Sequence, residues 1–172
     1  MNAEELRTMQ APFKAQYRDD PGSALITLRA SGTVGEEQIS CRVETGKALV
    51  EAGLHPATGG DGIAACSGDM LLEALVACAG VTLKAVATAI GITIESGTVS
   101  AEGDLDFRGT LGVDREAPVG FKAIRLRFDI VSDAGEDKLA TLQKLTDRYC
   151  VVYQTLRSSP PIDVTQRVSR PS

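Results

Sequence analysis

Hydrophobic and polar residues repeat with two different periods along this chain. A spacing of three to four residues, typical of an amphipathic helix, covers residues 3–17 and 135–157. A spacing of two, typical of a half-buried strand, runs through residues 121–131. In chain order the pattern predicts a helix (3–17), strands (24–28, 38–43 and 47–54), a long helix (67 or 68 to 90), one or two strands (92–107), a strand (121–131), a second long helix (135–157) and a final strand (162–168). This mixture and order of elements indicate the α+β class.

The first long helix is the most apolar part of the chain. Residues 70–90 carry Glu73 and Lys84 as their charged side chains, so we interpret the segment as the buried helix of a soluble protein rather than a membrane span. Cys78 lies nine residues after Asp69 and therefore points about 180° away from it, which predicts that the thiol faces the interior. The opposite, polar arc of this helix contains Asp69, Glu73, Gly80, Lys84 and Thr88.

Composition limits the classes of function that the chain can have. Its 172 residues are 43% hydrophobic and 24% charged, which fits one globular domain, 1–172, with residues 1–20 as an N-terminal helical extension. A net charge of -5 without a basic run argues against nucleic-acid binding. Residues 1–5 lack the basic and apolar regions of a secretory signal, so we expect a reducing, cytoplasmic location without membrane association.

The four cysteines are the main candidates for chemistry. No C-x-x-C pair is present, and the single histidine, His55, is not at ligand spacing from any cysteine, so neither a metal site nor a disulfide framework is expected. Cys78 is either a small core residue or a functional thiol, and Cys150 lies at the border of the apolar stripe of the second long helix. We hypothesise that these two helices each present one thiol to a shared pocket.

The other two cysteines have less favourable positions. Cys41 alternates with apolar neighbours in a predicted strand, so we expect it to be packed. Cys66 lies just before the first long helix, either as an exposed thiol or as an alternative partner for Cys78.

Two segments resemble the OsmC/Ohr family. The first is the glycine-rich loop at residues 59–62 followed by S-G-D-M-L-L-E-A-L-V-A-C at residues 67–78. The second is Y-C-V-V-Y at residues 149–153, in which Val151 stands where the family usually has proline. The resemblance implies an intertwined α+β homodimer with antiparallel sheets around two long central helices. It also implies thiol-dependent reduction of a small organic hydroperoxide, with no cofactor and with an external dithiol as reductant.

The resemblance also implies roles for individual residues. Cys78 would be the peroxidatic thiol and Cys150 the resolving thiol. Two alternatives stay open: a non-catalytic OsmC-like stress protein that binds a small apolar ligand, and a structural domain whose cysteines are incidental.

A cysteine that attacks peroxides needs help to lose its proton, because an ordinary thiol pKa is about 8.5. The family supplies an arginine that is held by a glutamate ten residues before the first cysteine, and here that position is Gly68, followed by Asp69. No arginine occurs between Arg42 and Arg108, so Arg42 is the candidate, unless it is only a solvated strand residue.

His55 either lines the site or belongs only to its loop. We interpret the glycine-rich loop as a close approach of the backbone to the helix start rather than a phosphate cradle.

Overall fold

The computed structural model describes residues 3–34, 41–43, 52–63 and 65–168. Its helices and strands alternate along the chain, and two single turns of 3-10 helix lie at Pro21–Ala24 and Pro56–Thr58. In chain order the elements are α1 (Ala3–Asp19), β1 (Leu25–Val34), β2 (Cys41–Val43), β3 (Ala52–Gly53), β4 (Ala65–Cys66), α2 (Ser67–Ala89), β5 (Ser96–Asp106), α3 (Phe107–Thr110), β6 (Ala123–Val131), α4 (Glu136–Tyr149) and α5 (Val151–Arg157). The predicted α+β class is confirmed.

Four of the strands form an antiparallel sheet in the order β2-β1-β5-β6. The β1–β5 ladder is long, running from Leu25 opposite Asp106 to Thr33 opposite Thr98. The period of two in β6 has the predicted effect, since one face is half-buried and the other carries the exposed Arg125, Arg127 and Asp129. β3 and β4 form a separate short parallel pair. Much of the predicted strands 38–43 and 47–54 lies outside the described residues.

The helix α2 is the centre of the core. It packs against β1 and β5 on one side and against α4 and α5 on another, and Leu72, Leu75, Val76 and Leu83 are almost completely buried. Among the described helices, α2 alone is long and apolar enough to cross a membrane, yet this packing is that of a core helix. Gly91 follows its C-cap with a φ of +68°, the left-handed conformation that commonly ends a helix.

The polar arc predicted for α2 is not its exposed face. Gly80 is buried, and Asp69, Glu73 and Lys84 are half-buried. The exposed side chains of α2 include a group of apolar ones: Met70, Leu71, Ala74 and Val81. Cys78 follows Ala74 by four residues and precedes Val81 by three, so it lies beside this open face. It is half-buried and packs against the main core, so the prediction that it points into the interior is confirmed in part. Long charged side chains bury their stems along apolar surface, so the positions of the charges did not locate the solvent side.

The second long helix is divided at Cys150. This residue has φ -72° and ψ 106°, an extended conformation that ends α4 and precedes α5. The surrounding Y-C-V-V-Y run is aromatic and β-branched, which weakens helix propensity locally, and the side chain of Gln154 compensates by donating to the free carbonyl of Asp147 at 2.7 Å. The prediction of one continuous helix over 135–157 was therefore wrong, because the segment forms two helices. The border position predicted for Cys150 was also wrong, since the residue is 1% exposed.

Residues 158–168 follow α5 without forming a described strand. Ile162, Val164 and Val168 are each at least 77% exposed, so the alternating pattern that predicted a strand here finds no partner within the described chain. The strand predicted over 162–168 was therefore wrong for this chain taken alone.

The helix predicted at the N-terminus is confirmed as α1. Tyr17 is buried in a second, smaller cluster with Ala24, Phe107 and Leu111. Its hydroxyl donates to the carbonyl oxygen of Ala57 at 2.6 Å, which connects α1 to the loop that precedes α2.

Candidate active site: two thiols where α2 meets α5

Cys78 and Cys150 lie together in the fold although they are far apart in sequence. Cys78 lies near the middle of α2, and Cys150 lies at the break between α4 and α5, where α5 packs against α2. The two thiols are close enough for each to shift the pKa of the other. Cys150 is buried in the main apolar core, and Cys78 packs against that core. The structure thus brings together the two residues that the sequence analysis had placed in one hypothetical pocket.

The break at Cys150 leaves backbone donors near the two sulfurs. In the described chain no side chain caps α5, and the first backbone hydrogen bond of this helix runs from the Gln154 N–H to the Cys150 carbonyl at 2.9 Å. The N–H groups of Val151 and Val152 precede that bond and help to lower the pKa of the Cys78 thiol. The Thr82 hydroxyl, one turn after Cys78 on α2, acts on the pKa of Cys78 in the same direction. We call these five residues, Thr82, Cys78, Cys150, Val151 and Val152, the dithiol site.

The surroundings of Cys78 favour its thiolate form. Burial raises the pKa of the Cys78 thiol, but hydrogen bonds from the Val152 N–H, the Cys150 thiol, the Val151 N–H and the Thr82 hydroxyl outweigh burial, so the pKa lies below its usual value. Hydrogen bonds donated to a charged acceptor stabilise the charged form.

Cys150 is affected in the opposite direction. Burial raises its pKa, the N–H of Tyr153 lowers it, and the hydrogen bond to Cys78 raises it further, to about 11. The two thiols therefore differ in the direction of their shifts, and Cys78 is the one that loses its proton more readily.

A cavity of about 450 Å³ with both polar and apolar walls lies between β6 and the pair α4–α5, and neither Cys78 nor Cys150 is among its lining residues. Leu75, one turn before Cys78 on α2, and Tyr153, one turn after Cys150, both line it. Its other walls combine apolar side chains from β6 and α5 with a polar rim: Phe121, Ala123, Ile124, Leu126, Phe128, Leu156, Lys122, Gln143, Asp147 and Arg157. A cavity of this size and lining suits a small ligand with an apolar part.

His55 and Asp69 lie together at the start of α2. The His55 Nδ1 accepts a hydrogen bond from the Ala57 N–H at 3.0 Å, and the ring stacks on Phe107 with centroids 4.9 Å apart. Burial lowers the pKa of His55, and the charge of Asp69 partly offsets this; burial raises the pKa of Asp69, and His55 partly offsets that. We call His55, Asp69 and Phe107 the His55 cluster.

The His55 cluster does not reach the dithiol site within this chain. Asp69 precedes Cys78 by nine residues, which is about 14 Å along a helix. Neither His55 nor Asp69 is among the groups that shift the pKa of Cys78. The structure therefore joins these two predicted site residues to each other but not to the predicted nucleophile.

The remaining predicted residues are only partly accounted for. Arg42 lies in β2 opposite Thr33, and its side chain, like that of Cys41, lies outside the described part of the structure. Cys66 is half-buried at the start of α2 and packs against the main core. The described residues contain no group of three or more His, Cys, Asp or Glu arranged to hold a metal ion.

The glycine-rich loop is a close backbone approach, but to the segment before it rather than to the start of α2. A Cβ on Gly60 would lie 1.7 Å from the carbonyl oxygen of Leu54, a position that only glycine can occupy. Gly59 has a φ of +91° and lies against Met9 of α1.

Sequence reasoning missed Thr82 and the two valine N–H groups. Thr82 is four residues after Cys78 and so on the same helix face, a spacing that could have identified it. The N–H donors had no such signal, because they depend on a helix break that the sequence pattern did not predict.

Comparison with known proteins shows which family has this sequence pattern and fold. The family model described as OsmC-like protein matches residues 59–165, more than half of the chain and a range that includes both thiols. No curated protein sequence matches the chain. One similar solved structure is an OsmC-like hydroperoxide resistance protein from Jannaschia sp. CCS1, which is 17% identical with a TM-score of 0.59, covering 84% of this chain and 95% of that one. Another is an OsmC-like protein from Mycoplasma pneumoniae, which is 21% identical with a TM-score of 0.53, covering 75% of this chain and 86% of that one. The likeness in fold and the match to the family model lead to one conclusion: this chain belongs to the OsmC-like protein family.

Proposed function

We propose that this protein is a thiol-dependent peroxidase that reduces organic hydroperoxides, with Cys78 as the peroxidatic and Cys150 as the resolving cysteine. The observation that carries the proposal is the contact between two thiols whose pKa values are shifted in opposite directions. Such a pair provides a thiolate for attack and keeps a second sulfur at hand for the next step. The description of the Jannaschia relative as a hydroperoxide resistance protein agrees with this chemistry.

The reaction balances with these two residues and an external dithiol. The Cys78 thiolate attacks the terminal oxygen of ROOH; the O–O bond breaks, Cys78 becomes a sulfenic acid, and the alkoxide leaves and takes a proton to become ROH. Cys150, after losing its proton, attacks the Cys78 sulfur, forming the S–S bond and releasing the sulfenic oxygen as water. A dithiol then reduces the disulfide by two exchange steps and is itself oxidised to a disulfide.

The preference for organic over hydrogen peroxide follows from the apolar surroundings. The cavity next to the dithiol site can bury an alkyl group, and each CH₂ removed from water contributes roughly 0.8 kcal/mol to binding. Hydrogen peroxide has no such group. The same cavity is what a non-catalytic relative would use to bind a small apolar ligand.

We also propose that the protein acts as a homodimer in the cytoplasm. Less than half, 44%, of the most apolar part of α2 is buried within this chain, and the exposed apolar face beside Cys78 is available to pack against a second copy. A dimer mass in multi-angle light scattering is expected, whereas a monomer at micromolar concentration would contradict this part of the proposal.

The peroxidase proposal is tested by following the loss of cumene hydroperoxide in the presence of a dithiol. We expect wild-type protein to consume peroxide with turnover, Cys78→Ser to lose that activity, and Cys66→Ser to keep it. Equal rates for wild type and Cys78→Ser would reject the peroxidase and leave the ligand-binding alternative.

The assignment of Cys150 is tested separately by peptide mapping after one equivalent of hydroperoxide. A crosslinked pair of peptides containing Cys78 and Cys150 is expected. A crosslink between Cys78 and Cys66 would show that the resolving cysteine is misassigned.

A further inference from the structure

We infer that the cavity between β6 and the pair α4–α5 binds a small alkyl carboxylic acid, with the alkyl chain against the inner face of β6 and the carboxylate against Arg157. Neither Cys78 nor Cys150 lines this cavity, so the inference concerns a second site and stands whether or not the chain is a peroxidase. Two features carry it: an apolar wall that this chain leaves partly uncovered, and an unpaired guanidinium in the same lining.

The apolar wall comes from the last strand of the sheet. α2 packs against β1 and β5, whereas β6 lies beyond β5 at the end of the described sheet. Ile124, Leu126 and Phe128 alternate along the inner face of β6, are only half-buried and line the cavity. Leu75 of α2 and Leu156 of α5 add further apolar surface. An alkyl chain in this position is removed from water, so its binding becomes stronger with each CH₂ group that it contributes.

The charged residues of the lining indicate what the polar end of the ligand is. Two are cations, Lys122 directly before β6 and Arg157 at the end of α5, and one is an anion, Asp147 of α4. The lining therefore carries one net positive charge, in a chain whose net charge is -5. A ligand with a single negative charge complements this lining, whereas a cation is repelled by it and a dianion exceeds it.

Arg157 is the cation that is available to such a ligand. Other arginines form ion pairs with aspartates: Arg108, Arg125 and Arg127. The exposed side chain of Arg157 makes no ion pair or hydrogen bond with any residue that the structure describes. Lys122, in contrast, lies near Asp104 and Asp106 and helps to lower the pKa of both carboxyl groups. A guanidinium can donate two parallel hydrogen bonds to a carboxylate, so Arg157 suits this group.

Asp147 determines which way the ligand lies. Its Oδ1 accepts a hydrogen bond from the Gln143 Nε2 at 2.6 Å, which fixes the carboxylate in the polar part of the lining. Like charges repel, so the carboxylate of the ligand is directed away from Asp147 and towards Arg157.

The chain itself offers a competing occupant. The segment after α5 exposes three aliphatic side chains, Ile162, Val164 and Val168, each at least 77% exposed. None of its residues lines the cavity, and it carries a cation, Arg167, beside its carboxylate, Asp163. A free carboxylic acid complements the lining better, and the experiment has to distinguish it from this segment.

The test compares octanoate with 1-octanol, which has the same chain length and no charge, by isothermal titration calorimetry on the full chain. We expect octanoate to bind more tightly than 1-octanol. Arg157→Gln should weaken octanoate binding about fivefold, near the most that a solvent-exposed ion pair contributes, and leave 1-octanol binding unchanged. Arg148→Gln is the matched control, because it removes an arginine that lies outside the cavity, and it should bind octanoate as wild type does.

Two further positions test where the ligand lies. Leu126→Trp fills the cavity and should abolish binding of both compounds, whereas Leu126→Met keeps the volume and should retain it. Asp147→Asn removes the negative charge of the lining and should strengthen octanoate binding about twofold without changing that of 1-octanol. Each variant is first checked for a cooperative thermal transition. If Leu126→Trp does not fold, Arg157→Gln decides the outcome, because Arg157 is exposed and its replacement leaves the core intact.

No binding of millimolar octanoate by the wild-type chain would overturn the inference, as would equal octanoate affinities in Arg157→Gln and Arg148→Gln. Binding that appears only after removal of residues 160–172 would also overturn it, since the chain's own C-terminal segment would then be the occupant. Octanoate binding by a protein that does not consume cumene hydroperoxide would uphold this site and reject the peroxidase. Peroxide turnover without octanoate binding would do the reverse, so the two proposals fail separately.

Discussion

The dithiol site and the His55 cluster lie on the same helix and are built from different kinds of polar groups. At the His55 cluster, an imidazole and a carboxylate interact through their charges in a half-buried position at the start of α2. At the dithiol site, about 14 Å further along α2, the groups that lower the pKa of Cys78 in the described chain are a hydroxyl, a thiol and two backbone N–H groups, all uncharged.

The difference shows where this fold can accept charge. The start of α2 is half-buried, and burial there raises the pKa of Asp69 while His55 partly offsets the effect. Cys150 is 1% exposed, and an ion there would lose most of its hydration. Cys78 is half-buried, and the described groups that lower its pKa are uncharged.

The largest expected effect comes from placing a carboxylate in each region. Leu75, one turn before Cys78, is 1% exposed, so Leu75→Asp buries an unpaired charge and should destabilise the fold by more than about 4 kcal/mol, enough to prevent folding. Ser67→Asp puts the same group at the exposed first residue of α2 and should fold normally. Circular dichroism and thermal melting measure both. A soluble Leu75→Asp variant with a cooperative transition would contradict this description of the core.

A second prediction concerns the fate of oxidised Cys78. Cys150→Ser removes the thiol that we propose as the resolving one, so one equivalent of cumene hydroperoxide should leave a protein 16 Da heavier that excess peroxide converts to the sulfinic acid. Cys66→Ser, a control near the His55 cluster, should form the disulfide and resist overoxidation. Intact-mass spectrometry distinguishes these products. Rapid disulfide formation in Cys150→Ser would show that another cysteine resolves Cys78.

The two regions also differ in how far the sequence predicted them. The periodicity identified α2, its end at Gly91 and the two-sided strand β6, because burial patterns in single elements are local properties. The same local reasoning proposed that Cys78 and Cys150 share a pocket. It could not establish their contact, which depends on how α5 packs against α2.

The surroundings of Cys78 could not be predicted from the sequence pattern for a physical reason. The stripe of residues 135–157 continues through Cys150, so the pattern gave no sign that the backbone there is extended and that the N–H groups of Val151 and Val152 are redirected. Reasoning from side-chain charge looked for a cation and chose Arg42, whose side chain lies outside the described part of the structure, with Asp69 and His55 as tentative additions. Asp69 and His55 interact with each other at the start of α2 and not with Cys78.

Two buried threonines allow a smaller test of the comparison. On the side of the dithiol site, Thr146 is completely buried, and its hydroxyl has no hydrogen-bond partner among the described residues. In the loop before α2, Thr58 is 4% exposed, and its hydroxyl donates to the His55 carbonyl at 2.8 Å.

Replacing each of these threonines by valine should have opposite effects. Thr146→Val removes an unpaired polar group and should raise the free energy of unfolding by about 1 kcal/mol, whereas Thr58→Val breaks a hydrogen bond and should lower it by about 1 kcal/mol. Urea denaturation of the two variants and wild type measures the differences. The same sign for both variants would show that the two hydroxyls do not differ in hydrogen bonding.

The smallest expected effect is a pH dependence that arises at the His55 cluster. His55 is the single histidine of the chain, and burial lowers its pKa below the ordinary value of 6.5. The unfolded chain therefore binds this proton at a higher pH than the folded chain does, and the free energy of unfolding should fall as the pH drops from about 7.5 through 6.5. Since His55 is half-exposed, solvent screening limits the loss to about 0.5 kcal/mol or less. Asp69 changes the free energy of unfolding in the opposite direction and at lower pH. Because its pKa is raised in the folded chain, the folded chain binds that proton more readily than the unfolded chain near pH 4, so acidification there adds to stability.

Two substitutions separate these contributions. His55→Asn keeps an acceptor for the Ala57 N–H but does not titrate, so the loss of stability around pH 6.5 should disappear. Asp69→Asn removes the charge that raises the pKa of His55, so that pKa falls further and the loss on acidification becomes larger. Urea denaturation between pH 5.5 and 7.5 measures both slopes. Identical slopes in the two variants and wild type would mean that His55 is solvated as in the unfolded chain. The contrast between the charged groups at the start of α2 and the uncharged described groups that act on Cys78 would then lose its electrostatic basis.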